Sequence, residues 1–274
     1  ANISTTGAQT YQGAVTLSGG DRTLTASTVN TQSTLAGGNN ALTITGAADI
    51  GGAYTGLSSL SVSGTTNLAA NVTTTGAQSY SDTVTVSGGS RTLSGSGLSL
   101  TAVDLGSNTL TASESGTGTI SGVIAGTGAL TKSGSGTLTL SGANTYSGDT
   151  TVNAGTLKLT GALNTATDVV LNGTSVWDLQ AVQTVASLSM ASGSSIARSA
   201  GTSSLTVSGA STLANSVSTS GAQTYTGAVT LAAGTTLAAS TVNTQSTLTG
   251  GANALTITGA SDIGGAYTGL SSLS

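Results

Sequence analysis

The sequence predicts an all-β protein, a right-handed parallel β-solenoid of about 14 coils with roughly 20 residues in each coil. Three observations predict this fold. Aliphatic residues alternate with small polar residues over short runs, similar segments recur at two length scales, and the chain contains 41 Gly but no Pro. Gly permits tight corners, and Pro would remove donors from the hydrogen-bond ladders between coils.

The alternating runs predict the strands. Examples are TLTL at 137–140, LTI at 42–44 and VTV at 84–86. Because successive side chains of a strand point to opposite faces, this period of two predicts strands with one buried face. A chain rich in Ser, Thr, Gly and Ala could also be a disordered linker, but the regular placement of the aliphatic residues favours a folded chain.

The longer repeat is a near-duplication of a whole module. VNTQSTL at 29–35 returns at 242–248, and DIGGAYTGLSSLS at 49–61 returns at 262–274 with the same offset. We therefore predict one continuous solenoid over 1–274, with a module at 1–213 that restarts at 214–274. Since the segment 1–3 resembles the segment 70–72, we also expect this chain to be a fragment of a longer repeat array.

A shorter motif occurs four times. It reads GAQTYQGAVTL at 7–17, GAQSYSDTVTV at 76–86, GANTYSGDTTV at 142–152 and GAQTYTGAVTL at 221–231. The distance from the first copy to the second predicts that the motif recurs after roughly three coils.

The coils must stack to be stable. Ordering about 20 residues costs roughly 20 to 40 kcal/mol of backbone entropy, whereas burying four or five aliphatic side chains returns only about 6 to 15 kcal/mol. Stacked coils share an aliphatic core and pair their backbone groups, so stability grows with the number of repeats.

The composition argues against several functions. The chain has no Cys and no His, and five Lys and Arg stand against nine Asp and Glu. Without a basic patch we expect no nucleic-acid partner, and without thiols or imidazoles we expect no metal, no cofactor and no catalysis. No apolar stretch approaches the roughly 18 residues of a membrane helix, so this segment is not expected to insert into a membrane.

Residues 126–159, GTGALTKSGSGTLTLSGANTYSGDTTVNAGTLKL, closely resemble the passenger-associated transport repeat of Gram-negative autotransporters. The resemblance covers about one eighth of the chain, and the sister motifs are similar only to its GANTYSG core. It implies a β-helical passenger that reaches the cell surface or the extracellular space of a Gram-negative bacterium by a type V route. It also implies that the repeat assists folding during export.

The motif tyrosines and the single tryptophan are candidate contact residues. Tyr11, Tyr80, Tyr146 and Tyr225 recur in the four motif copies, although the chain has only six Tyr, one Trp and no Phe. We expect each ring to pack over a Gly-containing corner with its hydroxyl in water, or to serve as an adhesive surface contact. Trp177 is a further candidate for surface contact, or it covers a local gap.

Asp149 and Asp168 form the best candidate carboxylate pair. They stand at equivalent places of adjacent coils, which predicts a separation of about 4.8 Å. Two such carboxylates could bind a cation or act as the pair of a retaining glycosidase, which sits about 5 to 5.5 Å apart. The sequence favours two solvated corner residues.

These features predict an extracellular structural or adhesive fibre or stalk segment. Its expected partners are further copies of itself, in filaments or fibre bundles, and host or matrix glycans. A β-helical polysaccharide-processing enzyme is one alternative. An ice-binding solenoid is another, since outward Thr residues could form flat ladders, but Lys132 and Lys158 are expected to interrupt such a surface.

Overall fold

A computed structural model describes residues 1–274. It is all-β without a helix, and its parallel strands form a β-solenoid of about 14 coils with about 19 residues in each, which confirms the predicted fold class. The chain divides into two compact units, Ala1–Gly142 and Ala143–Ser274. This boundary does not coincide with the end of the module at 1–213, and the continuity of the solenoid over the whole chain stays a prediction.

The first unit contains eighteen strands. They are β1 (Ile3–Ser4), β2 (Gln9–Tyr11), β3 (Val15–Thr16), β4 (Arg22–Thr31), β5 (Leu35–Ala36), β6 (Ala41–Ile50), β7 (Tyr54–Leu57), β8 (Ser59–Val62), β9 (Thr66–Leu68), β10 (Val72–Thr74), β11 (Ala77–Val86), β12 (Arg91–Gly95), β13 (Gly97–Asp104), β14 (Leu110–Glu114), β15 (Thr117–Ile120), β16 (Ile124–Ala125), β17 (Leu130–Lys132) and β18 (Thr137–Leu140).

The second unit contains fifteen strands. They are β19 (Thr150–Val152), β20 (Thr156–Leu159), β21 (Asp168–Leu171), β22 (Val176–Leu179), β23 (Val182–Val185), β24 (Ser187–Met190), β25 (Ser195–Ala197), β26 (Ser204–Val207), β27 (Ser211–Ser218), β28 (Gln223–Tyr225), β29 (Val229–Thr244), β30 (Leu248–Thr249), β31 (Ala254–Ile263), β32 (Tyr267–Thr268) and β33 (Ser272–Leu273).

Three parallel ladders build the first unit. Ladder A joins β1, β4, β6, β8, β11, β13, β15 and β18. Ladder B joins β2, β4, β6, β9, β11, β13 and β16. Ladder C joins β3, β5, β7, β10, β12, β14 and β17. Each coil thus contributes one strand segment to each side of a shared core.

The inward positions of ladder A show how the core forms. One column consists of Ile3, Leu24, Ile44, Val62, Tyr80, Leu100, Ile120 and Leu140. All of these except Ile3 are buried. In β18 the leucines are buried and the threonines are partly exposed, as the alternation predicts. Each buried aliphatic side chain contributes about 1.5 to 3 kcal/mol.

The second unit repeats this arrangement with its own ladders. Its ladder D joins β20, β22, β25, β27, β29, β31 and β33. Along ladder D, Leu157 pairs with Trp177, which pairs with Ile196. Leu159 is also buried at its own inward position. The predicted inward face of the TLKL segment is therefore confirmed within this unit.

Glycine is required where coils approach each other closely. Gly46 has a φ of 123°, and a Cβ on it would lie 1.9 Å from the carbonyl oxygen of Ala26. Its counterpart in the second copy of the module, Gly259, has a φ of 119° and would place a Cβ 1.9 Å from the oxygen of Ala239. The long repeat therefore preserves a backbone conformation that only Gly adopts without strain.

The motif copies do not recur after three coils as predicted. From Gln9, three steps along ladder B lead through Val29 and Ala48 to Thr66. Gln78 lies beyond Thr66 in the chain and belongs to ladder A, where it pairs with strands β8 and β13. The spacing between the first two copies therefore moves the motif to another side of the solenoid, because it is not a whole number of coils.

Candidate functional site

The repeated motif forms a hydrogen-bonded corner, which we call the Gln–Tyr clasp. In the second copy, Gln78 Nε2 donates to the carbonyl oxygens of Val72 at 3.3 Å and Ser94 at 2.8 Å. It also donates to Thr74 Oγ1 at 3.3 Å, and Tyr80 Oη donates to Gln78 Oε1 at 3.0 Å. Because Ser94 belongs to the following coil, the clasp ties two coils together while it satisfies a buried amide.

Two further copies build the same clasp. Tyr11 and Tyr225 donate to Oε1 of Gln9 and Gln223 at 3.0 and 3.1 Å. Both glutamines again donate to a carbonyl oxygen of the following coil, at 2.9 and 3.0 Å. The recurring GAQ-x-Y pattern therefore encodes a structural corner.

The copy in the GANTYSG segment replaces the glutamine. Asn144 Nδ2 donates to the carbonyl oxygen of Ala162 at 2.9 Å, and Tyr146 Oη lies 2.5 Å from Thr150 Oγ1. The asparagine side chain is one methylene shorter than glutamine, and here the threonine hydroxyl is the partner of the tyrosine. The ring keeps its buried place with a different partner.

A surface-contact role for most of the candidate aromatics is wrong. Tyr80, Tyr146, Tyr225 and Trp177 are each at most 1% exposed. Tyr80, Tyr225 and Trp177 occupy inward strand positions, whereas Tyr146 lies in the loop between β18 and β19. The three tyrosine hydroxyls are bonded inside the protein rather than to water. Tyr11, on the first coil of the chain, is half-buried.

The predicted carboxylate pair occupies equivalent places of adjacent coils. Thr150 pairs with Val169, and each follows directly on one of the aspartates, Asp149 and Asp168. Asp149 is exposed, whereas Asp168 is half-buried and accepts a hydrogen bond from Ser187 Oγ at 2.6 Å. No group of three or more acidic, His or Cys side chains could hold a metal ion. Asp149 is thus solvated, whereas Asp168 begins strand β21 and is partly withdrawn from solvent.

A buried ion pair is the feature that sequence reasoning missed. Lys132 Nζ lies 3.0 Å from Glu114 Oε1, and the two side chains are 1% and 0% exposed. Each residue ends a strand of ladder C at an inward position. Lys132 therefore does not interrupt the outward Thr surface, as the sequence had suggested. Burial raises the pKa of Glu114, although Lys132 opposes this effect.

The ion pair is buried, and the glutamate side chain packs closely against Gly118. Glu114 Cγ would lie 3.3 Å from a Cβ built on Gly118, so the missing side chain leaves room for it. Apart from the Lys132 ammonium group, neither carboxylate oxygen of Glu114 has a hydrogen-bond partner. Lys132 Nζ also donates to the carbonyl oxygen of Gly134.

A polar groove opens next to this pair. Its volume is about 280 Å³. It is lined by Thr74, Thr75, Ser94, Gly95, Ser113, Glu114, Ser115 and Gly134. Solvent in the groove can therefore approach Glu114, although the carboxylate oxygens themselves are buried.

The outward side of ladder A is an array of hydroxyl groups, which we call the hydroxyl face. Its first column pairs Thr23, Thr43, Ser61, Ser79, Ser99, Thr119 and Thr139 in register. Further along the same coils, at the next outward position, stand Thr25, Thr45, Ser63, Ser81, Thr101, Ser121 and Ser141. All of these residues are partly or fully exposed, and no charged residue interrupts either column.

Comparison with known families identifies one segment. Residues 130–159 match the family model of the passenger-associated-transport-repeat, within the region whose sequence resembles it. The chain carries a passenger-associated transport repeat. Residues 130–142 of the passenger-associated transport repeat contain β17 and β18 of the first unit, and residues 143–159 contain β19 and β20 of the second.

The passenger-associated transport repeat and the β-solenoid together fit the passenger region of an autotransporter. This repeat family implies secretion to the cell surface of Gram-negative bacteria. No curated protein and no solved structure matches the chain. The structure contains no helix that could span a membrane.

Proposed function

We propose that this chain is a non-catalytic passenger segment that acts as an extracellular structural or adhesive stalk. The observation that carries the proposal is the passenger-associated transport repeat at 130–159, set in units of stacked parallel strands. The recurring polar motif supports it, because the glutamine and tyrosine side chains of the clasps bond to the protein itself. The motif therefore holds coils together.

The surface supports contacts made by many weak groups. Four of the five candidate aromatic side chains are buried, so ring stacking on sugars has few candidates. What the stalk presents is Ser and Thr, with only 5% charged residues in the chain. Low charge gives little repulsion between copies, which favours association into filaments or bundles. Hydroxyl groups also suit contacts with host or matrix glycans.

The location is tested on the natural full-length protein in a Gram-negative host. We expect intact cells to bind an antibody against this segment and external protease to remove the signal, because a passenger lies outside the outer membrane. A periplasmic protein serves as the control and must stay protected. Electron microscopy of the released material should show fibres. If the antibody bound the segment only after cell lysis, the result would contradict the proposal.

The hydroxyl face favours ice binding as a second candidate function. Neighbouring coils space its residues by about 4.8 Å, and successive outward residues of one strand are about 6.6 Å apart. The result is a regular two-dimensional array of hydroxyl groups on one side of the first unit. The sequence-based objection that Lys132 interrupts the array no longer applies, since this side chain is buried.

Thermal hysteresis of the purified protein tests this candidate. Ice binding predicts measurable hysteresis that Thr119→Lys abolishes, because the long charged side chain stands in the middle of the array. Thr85→Lys is the matched control, since Thr85 is exposed on ladder B and should leave the hysteresis unchanged. A wild-type protein without hysteresis at high concentration would remove this candidate.

A further inference from the structure

The ion pair inside the first unit has the arrangement of two reactants. Lys132 Nζ lies 3.0 Å from Glu114 Oε1, and the exposed fraction of either side chain is at most 1%. We propose that Lys132 Nζ and Glu114 Cδ become joined by an intramolecular amide, an isopeptide bond, that links two adjacent coils. This inference concerns a covalent modification and does not depend on the proposed stalk function.

The energetics of the buried charges favour the amide. Removing an ion from water carries an effective penalty of several kcal/mol, which an ion pair recovers only when hydrogen bonds satisfy its remaining atoms. The Glu114 oxygens have no hydrogen-bond partner besides the ammonium group of Lys132. Condensation to an amide removes both charges and one of the two carboxylate oxygens, so it relieves this penalty.

Proximity and the exclusion of water favour amide formation between these two side chains, which does not proceed between the free groups in bulk water. Well-oriented intramolecular reactions reach effective molarities of roughly 10⁵ to 10⁸ M. Strands β14 and β17 are neighbours in ladder C, where Ala112 pairs with Lys132, so the lysine chain points along the strand toward Glu114. Exclusion of water also protects the product from hydrolysis.

The pair can supply its own acid and base. A proton passes from the Lys132 ammonium group to the Glu114 carboxylate, which gives a neutral amine and a neutral acid. Burial raises the pKa of Glu114 and so favours this neutral form. The amine attacks Cδ, the new C–N bond forms, one C–O bond breaks, and the oxygen leaves as water with a second proton from nitrogen. No oxidant or reductant is needed.

The protein around the pair fits both ends of this reaction. The carbonyl oxygen of Gly134 accepts a hydrogen bond from Lys132 Nζ and orients the amine. The groove of about 280 Å³ that Glu114 lines gives the released water a route to solvent.

A bond at this place would do for the solenoid what disulfides do in other secreted proteins. It closes a loop from Glu114 to Lys132, which is about one coil, in a chain that contains no Cys. A covalent link between adjacent coils prevents their strands from peeling apart under force or during proteolysis. It also constrains the unfolded chain, as other cross-links do.

Intact-mass spectrometry of the denatured wild-type protein tests the bond. We expect a mass one water lighter than the sequence mass, and a branched peptide joining Lys132 to Glu114 after digestion. The Glu114→Leu/Lys132→Met double variant has no reacting groups, keeps the site apolar so that it still folds, and should show its full sequence mass. A wild-type protein at its full sequence mass, with both peptides recovered unmodified, overturns the proposal.

Discussion

Above pH 10 the protein is expected to lose stability steeply, because its buried tyrosines cannot ionise in the folded state. Burial raises the pKa of Tyr54 to about 12 and also raises the pKa values of Tyr80, Tyr146 and Tyr225. In the unfolded chain the same side chains ionise near pH 10. Stability is therefore fully present below about pH 10 and is lost as the pH rises toward the folded pKa.

The expected loss is large for each unit. At about pH 11 each tyrosine that is ionised in the unfolded chain but neutral in the folded protein removes about 1.4 kcal/mol. Tyr54 and Tyr80 lie in the first unit, and Tyr146 and Tyr225 lie in the second. Each unit therefore loses about 3 kcal/mol, which is a large part of the stability of a typical domain.

Thermal unfolding at pH 7 and pH 11, followed by circular dichroism and by tyrosinate absorbance, measures this effect. The tyrosinate signal of the buried side chains should appear together with unfolding. Tyr80→Phe is the control: it removes one ionisable group, so the difference in stability between the two pH values should shrink. Complete titration of all tyrosines near pH 10 in a protein that stays folded would contradict the expectation.

The strands could be predicted from the sequence because the alternation of aliphatic and polar residues indicates which side chains face the core. It correctly assigned Leu138 and Leu140 in β18 to the core. The same period also applies to Lys132, which follows the buried Leu130 at the next inward position. Taken alone, however, a lysine is expected to face water, because an unpaired buried charge is costly. The partner that makes burial tolerable, Glu114, lies one coil earlier and becomes visible only when the register of ladder C is known.

The aromatic residues show a related limit. Tyr80 follows Gln78 at the next inward position, yet a polar and an amphipathic residue in a Gly-rich motif suggested an exposed corner. Burial of the Gln78 amide is tolerated because the carbonyl oxygens of Val72 and Ser94 accept its hydrogen bonds. Gln78 in turn accepts a hydrogen bond from the Tyr80 hydroxyl. The acceptor in the following coil can be assigned only when the register between neighbouring strands is known, which places Ser94 beside Thr73.

Trp177→Ala is expected to destabilise the second unit by about 3 to 5 kcal/mol, because it removes the largest buried side chain of the core and leaves a cavity. The indole is 0% exposed and stands in ladder D between Leu157 and Ile196, so neighbouring coils cannot close the cavity without breaking register. Its Nε1 has no hydrogen-bond partner, so the loss comes from packing alone.

The cost of removing the ring should therefore depend on volume. Trp177→Phe keeps most of the ring and loses no hydrogen bond, so we expect it to destabilise the unit less than Trp177→Ala does. Val182→Ala is the matched control within the same unit, because Val182 is 69% exposed and its truncation should change stability by less than about 0.5 kcal/mol. Denaturant unfolding followed by circular dichroism compares the three variants. If Trp177→Ala and Val182→Ala had equal midpoints, the indole would not be a core residue.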